Sequence, residues 1–243
     1  MGSGNLKMKQ SILKSSFLFL VIIYGTILVT HAQVYSNKVD EVNAISQHNQ
    51  KRAVYNSPPL LSDSSLSENA ERCALKMAEG RLPIATHPCQ ESGENIYQTT
   101  MDLSYPVISD SNLIKDAVEA WYAEKTRMKT INYNVFDEQW LVGMSNNDLL
   151  STGHFMQIIW KSVKSVGCAV SYYTTEVNRV YYVLCRYSPA PFLKVPSERV
   201  ANLPSSSLSM CEDSPGCKNV ANAATCQKYE KTREKCKKSC KLC

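Results

Sequence analysis

The chain has 243 residues, ten cysteines, four histidines and a formal net charge of +5, with 44% apolar and 20% charged residues. That is a globular composition, enough for one medium domain and a small module, and it excludes a disordered or collagen-like chain. Beyond the N-terminal region no apolar stretch reaches the length of about twenty residues that a membrane-crossing helix needs, which excludes a multi-span membrane protein.

Lys7, Lys9 and Lys14 precede an apolar run from Phe17 to Val29, and Thr30 and Ala32 stand three and one positions before a cut ahead of Gln33. The pattern reads as a signal peptide over 1–32 and a secreted, extracellular product. The alternative, an uncleaved anchor, is disfavoured because the run holds only thirteen residues. Residues 33–210 then hold 16 Lys+Arg against 18 Asp+Glu, and 211–243 hold 8 against 4. A near-neutral body implies no nucleic-acid surface. A compact cationic tail suits an anionic membrane, a glycan or an acidic channel mouth.

Val42, Ile45 and Val54 predict a first helix over roughly 40–55, ended by Asn56-Ser57-Pro58-Pro59. Ser65 with Glu68 makes a capping box for a second helix, in which Leu66, Ala70, Cys73 and Met77 recur at helical spacing up to Gly80. A third runs from about Ser111 to Met128, with Leu113, Ala117, Trp121, Glu124 and Met128 on one face, so that Glu124 falls on the buried stripe. Ile131 to Leu141 reads as a loop carrying Tyr133, Phe136, Trp140 and Leu141. From Gly153 onward the β-branched and aromatic content predicts strands over His154–Trp160, Val166–Thr174 and Val180–Ser188. Pairing the last two about Thr175-Glu176-Val177-Asn178 sets Tyr172 opposite Tyr181, Val170 opposite Val183 and Cys168 opposite Cys185. That register predicts a cross-strand disulfide and leaves Cys73 for Cys89. Pro189 to Met210 is rich in Pro and Ser without periodicity and reads as connecting chain, with a linker over 193–210.

The cysteines divide along the same boundary. Cys73, Cys89, Cys168 and Cys185 lie in the body, whereas Cys211, Cys217, Cys226, Cys236, Cys240 and Cys243 crowd the tail. Even counts behind a secretory signal imply disulfides and argue against a nucleophilic thiol. Zinc at Cys240-x-x-Cys243 is the alternative, but no second C-x-x-C or His pair completes a tetrahedral site.

Gly153-His154-Phe155-Met156-Gln157-Ile158-Ile159-Trp160 followed by Val166-Gly167-Cys168-Ala169 resembles the signature of the CAP superfamily of cysteine-rich secretory, antigen 5 and plant pathogenesis-related type-one proteins. Further matches are His48-Asn49-x-x-Arg52, His87 seven residues before Glu94 in Gly93-Glu94-Asn95-Ile96, Ala120-Trp121-Tyr122-x-Glu124, and Tyr182 to Ala190. The resemblance implies an α+β fold, a three-layer α-β-α sandwich, over 33–192. It also implies a cleft lined by His87, Glu94, Glu124 and His154. Two imidazoles and two carboxylates suit zinc or another divalent cation, and a His beside a carboxylate suits proton transfer. The same four residues also suit a buried polar network that only ties sheet to helices. No Gly-x-Ser-x-Gly motif or unpaired cysteine offers a nucleophile, and His48 reads as structural.

Some CAP proteins bind sterols or fatty acids, which makes Tyr133, Phe136, Trp140 and Leu141 lipid-binding candidates, with core packing as the alternative. The six-cysteine tail resembles the ShK-type domain of sea-anemone channel toxins. That resemblance implies the pairs Cys211–Cys243, Cys217–Cys236 and Cys226–Cys240 and suggests Lys228 and Tyr229 as channel-binding residues; the alternative is a solvated basic face. Tyr173 and Ser188 stand where vertebrate relatives carry two further cysteines. The expected function is a secreted, non-enzymatic binder of lipid or sterol with a divalent-metal site and a basic targeting module. The alternatives are a channel modulator acting through 211–243 and a hydrolase using His87 or His154.

Overall fold

A computed structural model describes residues 18–23, 26–31, 34–38, 41–84, 89, 93–132 and 134–206. His87, Tyr133, Lys228, Tyr229 and the six tail cysteines lie outside the described residues. In chain order the regular elements are β1 (Leu18–Ile23), β2 (Thr26–His31), β3 (Val34–Lys38), α1 (Glu41–Val54), β4 (Leu61–Ser62), α2 (Ser64–Gly80), β5 (Glu94–Asp102), α3 (Asp110–Ala123), β6 (Thr130–Asn132), β7 (Val135–Asp137), α4 (Glu138–Val142), α5 (Asn146–Ile159), β8 (Ser165–Thr174), β9 (Asn178–Ser188), α6 (Pro196–Asn202) and β10 (Ser205–Ser206). The result is a mixed helix and sheet fold in two units. One comprises Met1–Gln50, Pro59–Trp121 and Val163–Pro191; the other comprises Lys51–Pro58, Tyr122–Ser162 and Phe192–Cys243. No helix among the described residues is long and apolar enough to cross a membrane.

In the first unit the strands run in the order β3-β8-β9-β5, with β4 beside β8. β8 and β9 pair antiparallel in the expected register, with Cys168 opposite Cys185 and Tyr172 opposite Tyr181. Thr175 N–H donates to Asn178 O at 2.8 Å to close the turn. Both body disulfides form as expected, Cys168–Cys185 across the hairpin and Cys73–Cys89 from α2. Within the segment expected as a leader, β1 and β2 pair antiparallel with Leu18 opposite His31.

The apolar stripe of α2 lies on this sheet. Ala70, Cys73, Ala74, Met77 and Ala78 are buried with Ile96, Ala169, Tyr182 and Leu184. The helix starts two residues earlier than a Ser65/Glu68 box requires. Asp63 is the cap, its Oδ1 accepting from the N–H groups of Ser65 (2.9 Å) and Leu66 (3.2 Å), and it also takes the Ser65 hydroxyl at 2.6 Å. A carboxylate is a stronger acceptor than a hydroxyl, so Asp63 wins the position.

At the start of α3, the Asp110 carboxylate accepts from Asn37 Nδ2 at 2.8 Å and Tyr35 OH at 3.4 Å. Burial nevertheless holds the Asp110 carboxyl above the usual carboxylate range, and pushes the Tyr35 phenol up to about 12 with help from the Asp110 charge. A carboxyl harder to ionise folded than unfolded costs stability as pH rises from its unfolded value through its raised folded value. Melting temperature should therefore decline on that account across the window just above the ordinary carboxylate range. Asp110→Asn removes this component, which a comparison of the two melting profiles against pH checks.

In the second unit three expectations are corrected. His154–Trp160 is not a strand: α5 runs through Ile159 and Trp160 is its C-cap. Ser145 and Asp148 form a reciprocal capping box, with Asp148 N–H donating to Ser145 Oγ at 3.2 Å and Ser145 N–H donating to Asp148 Oδ2 at 2.8 Å. The box commits the chain to a helix despite Ile158 and Ile159, and Thr152, Phe155, Met156 and Ile159 supply a buried helical stripe. Ile131–Leu141 is not an open loop: β6, β7 and α4 occupy it, and β7 sits between β6 and β10. The third correction is the helix end, since α3 stops at Ala123 and Glu124–Arg127 form a 3-10 turn.

The Pro/Ser-rich stretch expected without periodicity contains α6. Pro196 opens it, and the buried Arg199 donates to Leu141 O (2.6 Å), Leu193 O (2.7 Å) and Val142 O (3.1 Å). One guanidinium thus satisfies three carbonyls, a tertiary reason for order that local composition does not carry.

Candidate functional site

Two of the four expected cleft residues meet in the second unit. Glu124 stands at the beginning of the 3-10 turn and His154 near the middle of α5, thirty residues on. His154 Nδ1 lies 2.8 Å from Glu124 Oε1, and Phe155 N–H donates to Glu124 Oε2 at 3.1 Å. Both carboxylate oxygens are therefore held by α5. Arg127 ties the same turn to the same helix, donating to Ser151 O at 3.1 Å.

The side chains are 32% exposed for His154 and 13% for Glu124, so the imidazole reaches solvent while its carboxylate partner is largely covered. A carboxylate only accepts, which places the proton on Nδ1 and makes Nε2 the lone-pair nitrogen of the neutral ring. That orientation suits metal ligation or proton acceptance through Nε2. In the same unit the Tyr122 ring carries two ammonium groups, Lys51 Nζ at 4.7 Å and Lys125 Nζ at 4.4 Å from its centroid.

Glu94 is placed differently. In the first unit its Oε2 lies 2.6 Å from Arg186 Nη2, and each side chain is only 2% exposed. Gly93 precedes it with φ of 71°, and an added Cβ would stand 2.7 Å from Tyr187 O, so only glycine fits this approach to the strand. Arg186 was legible only as part of a motif, because its pairing with Glu94 depends on the β5–β9 register that sets the two opposite each other.

His48 is structural, as expected. It is wholly buried, with Nδ1 at 2.7 Å from Ala44 O and Nε2 at 2.8 Å from Tyr187 OH, which also accepts from Asn95 Nδ2 at 3.1 Å. The backbone carbonyl only accepts, so Nδ1 carries a proton toward Ala44, and Nε2 pairs with the Tyr187 hydroxyl.

Of the lipid-binding candidates, Phe136 and Leu141 are buried at 1% and 0% exposure and Trp140 is partly exposed. Phe136 stacks with Tyr55 at 5.8 Å and meets Phe155 edge-on at 5.9 Å, inside an aromatic cluster that includes Tyr122. Among the described residues no group of three or more His, Cys, Asp or Glu side chains is arranged to hold a metal.

Comparison with known proteins matches residues 45–187 to the family described as "CAP: Cysteine-rich secretory protein family". Human cysteine-rich secretory protein 2 is 25% identical over 242 residues, covering 90% of this chain and 88% of that protein. Salivary antigen-5 of Triatoma infestans is 40% identical over 128 residues, 51% of this chain and 49% of that protein. Among solved structures, hookworm platelet inhibitor aligns with a TM-score of 0.41 at 20% identity, covering 63% of this chain and 72% of that one. The family match covers more than half of the chain and takes in Glu94, Glu124 and His154 together with both body disulfides, and this protein belongs to the CAP, or cysteine-rich secretory protein, family.

Proposed function

We propose that this is an extracellular binding protein that works without a covalent nucleophile and takes up a divalent cation, zinc by preference, through His154. The observation that carries the reading is the 2.8 Å contact between His154 Nδ1 and Glu124 Oε1. A carboxylate behind an imidazole fixes the ring and directs Nε2 toward a ligand, the arrangement that supports histidines at zinc centres. Nitrogen donors favour zinc over magnesium or calcium. Bound zinc would supply Lewis acidity and a fixed positive charge.

Secretion follows from the leader-like segment over 1–32, and the two body disulfides fit an oxidising compartment. The cationic ShK-like tail serves as a targeting module in this reading. A sterol or fatty acid would meet Trp140 rather than Phe136 or Leu141, which are occupied in packing.

Calorimetric titration of the full chain with zinc chloride tests the proposal. His154→Ala should abolish the saturable heat, and Glu124→Gln should weaken binding by about 10–100-fold through loss of ring orientation. Equal affinity in all three proteins would overturn it.

A further inference from the structure

The Cys73–Cys89 disulfide differs chemically at its two ends. Cys73, on α2, is wholly buried, whereas Cys89 is partly exposed. Against the buried sulfur lies a cation: Arg186 Nη2 donates to Cys73 Sγ at 3.3 Å. The guanidinium is itself held by Glu94 at 2.6 Å, and both side chains are shielded from water. Cys168–Cys185 has no such asymmetry of access, its cysteines being 2% and 0% exposed.

Thiol–disulfide exchange depends on which sulfur an incoming thiolate can reach and on how well the other sulfur accepts the departing electron pair. Access selects Cys89 here, and the charge of Arg186 favours negative charge on Cys73. Both factors select the same direction of attack.

We propose that Cys73–Cys89 is a thiol-modification site, at which a small thiol of the glutathione class becomes attached to Cys89 while Cys73 leaves as a thiolate beside Arg186. The incoming thiol first loses its proton to water. Its sulfur then bonds to Cys89 Sγ, the Cys73–Cys89 bond breaks, and the electron pair passes to Cys73. One disulfide is exchanged for another, so the step needs no separate oxidant. The Cys73 thiolate can reverse the step by attacking Cys89 and expelling the small thiol. Glu94 restrains the reaction, because its charge offsets part of the Arg186 field at the sulfur. The proposal is independent of metal binding at His154.

The test treats the full-length, oxidised protein with reduced glutathione, quenches samples with acid at intervals, alkylates the free thiols with iodoacetamide after denaturation, and maps the peptides by mass spectrometry. Glutathione should appear on Cys89 and the alkyl label on Cys73, at least about tenfold sooner than either label reaches Cys168 or Cys185. Glu94→Gln should accelerate the exchange several-fold, which separates an electrostatic effect from access alone. Glutathione found on Cys73, Cys168–Cys185 opening at the same rate, or a Glu94→Gln rate equal to or below wild type would each overturn the proposal. The wild-type labelling pattern is informative even if the variant folds poorly.

Discussion

Replacing Arg52 by methionine should cost about 3–5 kcal/mol of unfolding free energy. Arg52 is wholly buried. Its Nε donates to Pro58 O at 2.7 Å, and its Nη1 donates to Ile158 O at 2.8 Å and Trp160 O at 2.9 Å. Ile158 and Trp160 lie at the C-terminal end of α5, where carbonyls lack intrahelical donors and the helix dipole is negative. Ser57 Oγ satisfies the carbonyl between them, donating to Ile159 O at 2.6 Å. A buried cation therefore neutralises and caps the end of the helix that carries His154. Methionine fills much of the space but leaves the carbonyls without donors. Lysine keeps the charge but not the fork, and should recover only part of the loss. Urea unfolding of wild type, Arg52→Met and Arg52→Lys checks this; a loss below about 1 kcal/mol for methionine would show that water takes over the caps.

The second large effect is expected at Gly167. A Cβ placed there would lie 2.2 Å from Ser67 N and 2.6 Å from Leu66 C, both backbone atoms in the first turn of α2. Neither can rotate away, so Gly167→Ala must push the helix off β8, the strand it packs against, at a cost of about 3 kcal/mol or more. Gly153 is the contrasting case. Its added Cβ would meet only Leu193 Cδ1, at 3.6 Å, which is an ordinary contact. Alanine is favoured over glycine in a helix interior by about 0.5–1 kcal/mol, so Gly153→Ala in α5 should be neutral or mildly stabilising. Thermal melts of the two variants, run side by side, should move in different directions or differ by several degrees.

The contrast between these glycines shows what the sequence carries. The β8–β9 hairpin was legible because its information is local. A symmetric run of β-branched and aromatic residues about one turn is enough to set Cys168 opposite Cys185. The stripe on α2 was legible for the same reason, since its period lies within one element. His154–Trp160 misled because Phe155, Ile158, Ile159 and Trp160 favour strands, while the Ser145/Asp148 box that starts the helix lies well upstream. Arg199 and Arg52 order their surroundings through carbonyls distant in sequence, and no local pattern announces such a contact.

The site was legible to a similar degree. The position of Glu124 on the apolar stripe and the Gly153-His154 motif marked both residues, and the structure sets them 2.8 Å apart. The sequence did not show that Glu94 faces a buried arginine, because the β5–β9 pairing joins residues 92 positions apart. Nor did it separate Phe136 and Leu141, which are core, from Trp140, which keeps some exposure; all four residues of that stretch share one composition signal.

In the proposed function Glu124 holds Nδ1 of His154 so that Nε2 would meet the ligand. Nitrogen-15 NMR of the histidine rings in the full chain, recorded during a zinc titration, tests it most directly. A zinc-dependent shift is expected at His154 Nε2 while Nδ1 stays protonated and bonded to Glu124. An unchanged His154 ring at saturating zinc, or a shift confined to Nδ1, would contradict it.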